Sequence, residues 1–322
     1  MNNEQLKSGE RTPLSKSILR YIPGRSSFLS FLFASLLIPA SFYSCSDEEG
    51  TVVGFETDVV RKTESDSVYS VKILLGKVTT STTVTIDIYG TAALDGDYSM
   101  VTQQDTSTNI VPVTGSSSAS SQQVFVVPAG GSYAELFFRI KDDPYVEPRA
   151  ENILFRISAI SNESIEASLQ NFEYQFIITD NDTPPSDALR VDLSWRLGDG
   201  ISVTNGDFDM YLVKNVVVSN GQVTNKDFVD QVTSKNTTGF ESFNLDSSVP
   251  DDKYYIMIRY VSGTYDADTE LILSKSSSYS RVTAHIASTS VGKDFYFGPI
   301  TKSGTTFSRV AEEEVAPDWI ID

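Results

Sequence analysis

Two residue types that build many catalytic and redox sites are nearly missing here: 322 residues contain one cysteine, Cys45, and one histidine, His285. A lone cysteine closes no internal disulfide, so no sulfur framework stiffens the chain. A lone histidine supplies no multi-histidine metal site. It sits in Arg281-Val282-Thr283-Ala284-His285-Ile286-Ala287, with neither a Gly-x-Ser-x-Gly elbow nor a His-Glu-x-x-His helix beside it. Carboxylate pairs could serve a glycosidase, but a chain this acidic contains such pairs by chance. The expectation is a non-catalytic protein with His285 as an ordinary strand residue. Basic residues are scarce too, with 25 Lys and Arg against 43 Asp and Glu, a net charge of −18. That balance excludes nucleic acid and an anionic bilayer surface as partners. Helical periodicity is also lacking, since no stretch beyond Cys45 keeps an apolar 3.6-residue repeat for more than two turns.

One long apolar run exists. Phe28 to Ala40 follows Lys7, Arg11, Lys16, Arg20 and Arg25, and it is shorter than the ~20 residues a spanning helix needs. A basic flank, a short apolar core and small residues before a break are signal-peptide features. Ser44-Cys45 resembles a bacterial lipoprotein box, and Cys45-Ser46-Asp47-Glu48-Glu49 resembles the acidic export signal of Bacteroides-type surface lipoproteins. The resemblance implies a signal peptide over residues 1–44, lipidation at Cys45, an acidic tether over 45–51 and a lipid-anchored place on the outer membrane. The alternative is an uncleaved membrane anchor with a buried structural cysteine. Removing residues 1–44 leaves 20 basic and 41 acidic residues, a formal charge of −21.

From Val52 onward the texture is all-β. Val68–Leu75, Thr82–Tyr89, Val124–Val127, Ala134–Ile140, Asn152–Ile157 and Glu173–Ile178 alternate or run apolar as half-buried strands do. Residues 101–123, rich in Ser, Thr and Gln, read as a long loop. Thr183-Pro184-Pro185 cannot continue a ladder, so residues 183–188 are expected to link a first domain, 52–182, to a second, 189–322. The second offers strands at Leu189–Trp195, Phe208–Val213, Asn215–Val218, Tyr254–Tyr260, Thr269–Leu273, Arg281–Ala287 and Asp294–Pro299. The predicted class is two tandem β-sandwiches.

Acids gather where strands stop. Ile140 is followed by Lys141-Asp142-Asp143-Pro144-Tyr145-Val146-Glu147-Pro148-Arg149-Ala150-Glu151, and Ile178 by Thr179-Asp180-Asn181-Asp182. Asp180 and Asp182 share a face in extended chain. Such carboxylates either surround a hard cation such as Ca²⁺ or are solvated turn formers.

The ordered set Val53-Gly54-Phe55, Glu64, Thr91-Ala92-Ala93-Leu94-Asp95-Gly96-Asp97-Tyr98, Pro128-Ala129-Gly130-Gly131, Asp142-Asp143 with Glu147 and Glu151, and Asp180-Asn181-Asp182 resembles the Calx-beta family over residues 52–182. The resemblance implies an immunoglobulin-like sandwich that binds Ca²⁺ at one end through Glu64, Asp142, Asp143, Glu147, Asp180 and Asp182. Tyr89-Gly90 stands where multi-ion members carry an acid, which reduces the expectation to one or two ions. At the ~10⁻⁴–10⁻³ M dissociation constants of extracellular modules, millimolar Ca²⁺ stabilises by about 0.4–1.4 kcal/mol per site.

Val191-Asp192-Leu193-Ser194-Trp195 and Gly206-Asp207-Phe208-Asp209-Met210-Tyr211-Leu212 resemble part of a pre-peptidase C-terminal-type β-sandwich. Asp207 and Asp209 could hold another cation or be solvated. Trp195 could stack on a sugar or be core, and Tyr254, Tyr255 and Tyr260 pose the same choice. The leading expectation is a calcium-binding spacer or adhesion lipoprotein that meets the membrane through Cys45. The alternative is a glycan-binding lipoprotein of a polysaccharide-uptake system. A glycan or a surface protein would be the partner.

Overall fold

Side chains that alternate in and out with period two shape nearly every element of this computed structural model, which describes residues 53–101, 121–236, 239–308 and the backbone of 320–321. The described residues from 53 onward belong to one compact unit. The expected signal peptide and Cys45 lie outside the described residues, as does 102–120 of the expected loop.

The first half contains β1 (Val53–Phe55), β2 (Val59–Thr63), β3 (Val68–Leu74), β4 (Thr82–Gly90), β5 (Tyr98–Met100), β6 (Gln122–Val127), β7 (Tyr133–Ile140), β8 (Glu151–Ile160), β9 (Leu169–Asn171) and β10 (Glu173–Thr179). One helical turn, α1 (Glu163–Glu166), is capped by Asn162, whose Oδ1 accepts from the amides of Ser164 and Ile165. Two five-stranded sheets form, ordered β5-β7-β3-β1-β9 and β2-β10-β8-β4-β6. In β4, Val84, Ile86 and Ile88 point inward and are buried. They meet Phe138, Phe155 and Phe176, and the rings of Phe138 and Phe176 pack edge-on at 5.0 Å. Burying each such side chain contributes about 1.5–3 kcal/mol, so this single layer outweighs any one surface interaction.

The second half contains β11 (Leu189–Arg196), β12 (Gly206–Ser219), β13 (Gln222–Ser234), β14 (Phe240–Leu245), β15 (Lys253–Gly263), β16 (Ala267–Lys275), β17 (Ser278–Ile286), β18 (Asp294–Ser303), β19 (Thr306–Phe307) and β20 (Ile320–Ile321). Its sheets run β14-β11-β16-β17 and β13-β12-β15-β18-β19, with β20 also on β18. A separate apolar cluster fills it, drawn from Leu193, Trp195, Phe208, Ile256, Tyr260 and Phe297 among others. The protein is therefore an all-β chain of sandwich halves.

Two local expectations change. Phe208–Val213 and Asn215–Val218 are one strand, β12, because the chain absorbs Asn215 at φ 51° and slips register between Lys214 and Val217 without leaving the sheet. β13 is an unforeseen strand at a sheet edge, mostly exposed, where no alternating apolar face is required.

The halves touch through the acidic end of the first. Tyr145, 3% exposed, places its hydroxyl 3.2 Å from Ser194 Oγ, and its ring centroid lies 6.3 Å from that of Phe240. Arg190 donates from Nη2 to the Pro144 carbonyl at 2.6 Å and from Nε to Asp192 at 2.7 Å. The Val203 amide donates to the Leu94 carbonyl at 3.1 Å, and the Ser276 amide to Pro185 at 2.9 Å. Residues 183–188 carry no strand. Pro184-Pro185 is therefore no free hinge, because contacts on both sides of it hold the two halves together.

Candidate metal centre

Strand register explains why acids far apart in sequence converge. β2 and β10 are parallel, Thr63 lies beside Thr179, and the Glu64 amide donates to the Thr179 carbonyl at 3.0 Å. Both strands thus end at one level, where Glu64 leaves β2 and Asp180-Asn181-Asp182 leaves β10. β8 is antiparallel to β10, so its first residue, Glu151, sits opposite Ile178 at the same end. β7 ends there at Ile140, paired with Tyr98, and the Lys141 amide donates to the Asp97 carbonyl at 2.9 Å. Pro144 and the following turn return Glu147, whose amide donates to Asp180 Oδ2 at 2.7 Å.

Two triads result. One oxygen each from Glu64, Asp180 and Asp182 lie within 4.8 Å of one another, and so do oxygens of Asp97, Glu147 and Glu151. Asp143 belongs to the same field: it raises the pKa of Glu64 and of Glu147, and is itself raised by Asp97, Asp182 and Asp180. Burial, the largest cause in each case, together with this mutual repulsion pushes Glu64 to about 9, Asp143 to about 7 and Glu147 to about 11. Glu151, Asp97, Asp180 and Asp182 are raised as well, again chiefly by burial.

Nothing basic compensates them at contact distance. Among the described residues, no ion pair involves any of the seven. Lys141 reaches the Asp95 carbonyl instead, Arg190 holds Asp192, and Arg196 holds Asp199. Two carboxylates at this spacing repel by about 3 kcal/mol at an effective dielectric near 20. Either protons or a cation must relieve that.

The donor set is one that a cation could occupy. Glu64 is 6% exposed, yet its Oε2 has no hydrogen-bond partner, and Asp182 Oδ2 and Glu151 Oε2 are likewise buried and unpartnered. Orphaned buried carboxylate oxygens cost about 1–3 kcal/mol or more each, and coordinating an ion removes that cost. The ligands are all oxygen, with no sulfur or imidazole, which suits a hard ion such as Ca²⁺ rather than zinc or copper.

Five of the six residues expected as ligands, Glu64, Asp143, Glu147, Asp180 and Asp182, thus gather in one acidic field. Asp142 lies at the exposed margin of the field, where its charge raises the pKa of Asp182. It is exposed and accepts from Asn181 Nδ2 at 2.7 Å, while its amide reaches Asp66. Asp97 and Glu151 join the field without having been on the expected list. Their signal was position, since each directly precedes or opens a strand whose partner ends in acids.

The second half offers less. Trp195 is 2% exposed, donates from Nε1 to the Val203 carbonyl at 3.1 Å and packs on Phe208 at 5.1 Å. It is core and not an exposed sugar platform. Tyr254 and Tyr260 are buried as well. Asp209 accepts from the Tyr211 hydroxyl, and Asp207 and Asp209 form no metal-sized group among the described residues. His285, exposed on β17, places Nδ1 2.8 Å from Asp268.

No protein-family model and no curated protein matches this chain. Solved structures resemble it weakly. An apo-form Calx CBD1 domain is 17% identical, with 40% of this chain and 96% of that one covered and a TM-score of 0.29. A CBD12 from CALX1.2 is 12% identical, with 67% and 80% covered and a TM-score of 0.30. A Pseudomonas aeruginosa CupB2 chaperone is 9% identical, with 67% and 98% covered and a TM-score of 0.22. Proteins of such different kinds at similar values select no function between them.

Proposed function

We propose that the acidic end of the first sandwich binds Ca²⁺, one or two ions per chain, and that the protein is a non-catalytic surface lipoprotein acting as a spacer or adhesion module. The observation that carries the metal reading is the convergence of two carboxylate triads, three of whose oxygens (on Glu64, Glu151 and Asp182) are buried and unpartnered, with no ion pair to any of the six among the described residues. The lipid anchor at Cys45 and the outer-membrane location rest on the sequence from Phe28 to Glu49 alone. Calcium here would do two jobs. It would cancel the repulsion among the strand ends, and it would set the loop from Asp143 to Glu147, which carries Tyr145 and the Pro144 carbonyl into the contact with the second half. The ion is thus a stiffener of the junction, on a scale of about a kilocalorie per site, and no sharp switch.

Thermal melts in Ca²⁺ and in chelator test this. The wild type should melt higher in Ca²⁺, and Asp143→Ala should shrink that difference. Equal melting temperatures in both buffers for the wild type would remove the metal reading.

A further inference from the structure

A cavity of about 430 Å³ lies where the acidic end of the first half meets the outward face of the sheet β14-β11-β16-β17. Asp97, Glu147 and Glu151 line it, whereas Glu64, Asp180 and Asp182 do not. The two triads therefore have different surroundings. Around the first, backbone amides of Glu147 and Asp182 already donate to Asp180. At the second, Asp97 accepts from the Ala93 amide, and the triad also borders open volume. A Ca²⁺ ion takes six to eight oxygens, and three carboxylates supply between three and six. Coordination positions left at the second triad open into the cavity, where a ligand from outside can fill them.

The opposite wall decides which ligand. Cross-strand register puts Ser194, Glu270 and Thr283 in one row and Arg196, Asp268 and His285 in the next, on the same face. Glu270 and Arg281 form a bidentate pair, with Nε to Oε1 at 2.6 Å, and Arg196 pairs with Asp199. Six carboxylates line the cavity against two guanidinium groups and His285, so an anionic ligand is repelled. Hydroxyl groups suit both demands, since they ligate a hard cation and donate to carboxylates. Phe240, half-buried at the cavity wall, adds aromatic surface against which the apolar face of a sugar ring packs. The volume lies within the range of small-molecule pockets.

We infer that this cavity is a calcium-dependent site for a neutral carbohydrate, whose vicinal hydroxyls complete the coordination of an ion held by Asp97, Glu147 and Glu151. The inference rests on the calcium reading, and the experiment separates the two. Thr283, exposed on β17, lines the cavity and is not one of the clustered carboxylates. Thr283→Trp therefore fills the space while leaving every metal ligand in place. Terbium luminescence reports metal binding by itself. Calorimetry with D-mannose, D-galactose, L-fucose and, as the anionic comparison, D-glucuronate, in millimolar Ca²⁺ and in chelator, reports the ligand. The expected result is that at least one neutral sugar binds in Ca²⁺ and outcompetes glucuronate. Its affinity should fall at least ~tenfold in chelator, as loss of a direct ligand bond requires, and equally in Thr283→Trp, which keeps its terbium signal. Intact terbium binding with no neutral-sugar binding overturns the inference and spares the calcium reading. So does sugar binding that survives chelator or Thr283→Trp, or a preference for glucuronate. No terbium binding overturns both.

Discussion

Glu64 carries the sharpest consequence for a single side chain. It is nearly sealed from solvent, one of its oxygens has no partner, and its neighbours are acids. Without an ion, the folded chain must hold a proton on Glu64 at neutral pH, which opposes folding, and with an ion Glu64 would be a ligand. Glu64→Gln keeps the shape and removes the titrating group, so two effects of opposite sign are expected. In chelator at neutral pH the variant should be more stable than wild type by ~1 kcal/mol, since folding no longer has to protonate a desolvated acid among acids. In Ca²⁺ its stabilisation should fall below that of wild type. Paired melts of both proteins in both buffers check it. Glu241 gives a pH prediction away from the cage. It is fully buried in β14, one oxygen is unpartnered, and burial pushes it to about 7. Between about pH 4.5 and 7 the folded chain holds this proton and the unfolded chain does not, so stability falls as pH rises through that window. Glu241→Gln should flatten the slope there, seen as a smaller difference between melts at pH 5 and pH 8.

Among the elements, the segments that join the halves are tightly constrained. Gly239 has φ +100°, and a Cβ there would stand 2.4 Å from Val203 Cγ2. Gly239→Ala is therefore both strained and obstructed, and should cost about 1–3 kcal/mol, measured by denaturant unfolding. Tyr145→Ala removes a buried ring and its contact with Phe240 and Ser194, and about 3 kcal/mol should go with it. Much of this architecture could be read in advance. β3, β4, β7 and β10 declare themselves by period two, and Asp180 and Asp182 by their spacing along extended chain. Asp142 and Asp143 follow the same rule in reverse, since neighbours in extended chain face opposite ways, and Asp143 is the more buried of the two. Asp97 and Glu151 were harder, because their membership depends on antiparallel register with β7 and β10, which no local pattern encodes. β13 was hidden because an edge strand can do without an apolar face, and Trp195 because a strand tryptophan looks alike whether it faces core or solvent.

At the scale of the whole molecule, charge and contact are coupled. The acids that would hold the ion stand in the same turn that meets the second sheet, so metal and junction share one segment, Asp143 to Glu147. An account in which calcium stiffens that junction predicts that chelation loosens it first. Amide hydrogen exchange around Tyr145 and Val146 should speed up in chelator more than exchange in the core strands β4 and β12. Uniform change across the chain would separate the metal from the junction. The most direct measurement is calorimetric titration of Ca²⁺ into chelator-treated protein. The account predicts saturable binding of one or two ions with dissociation constants of ~10⁻⁴–10⁻³ M, and the absence of saturable binding through millimolar Ca²⁺ would contradict it.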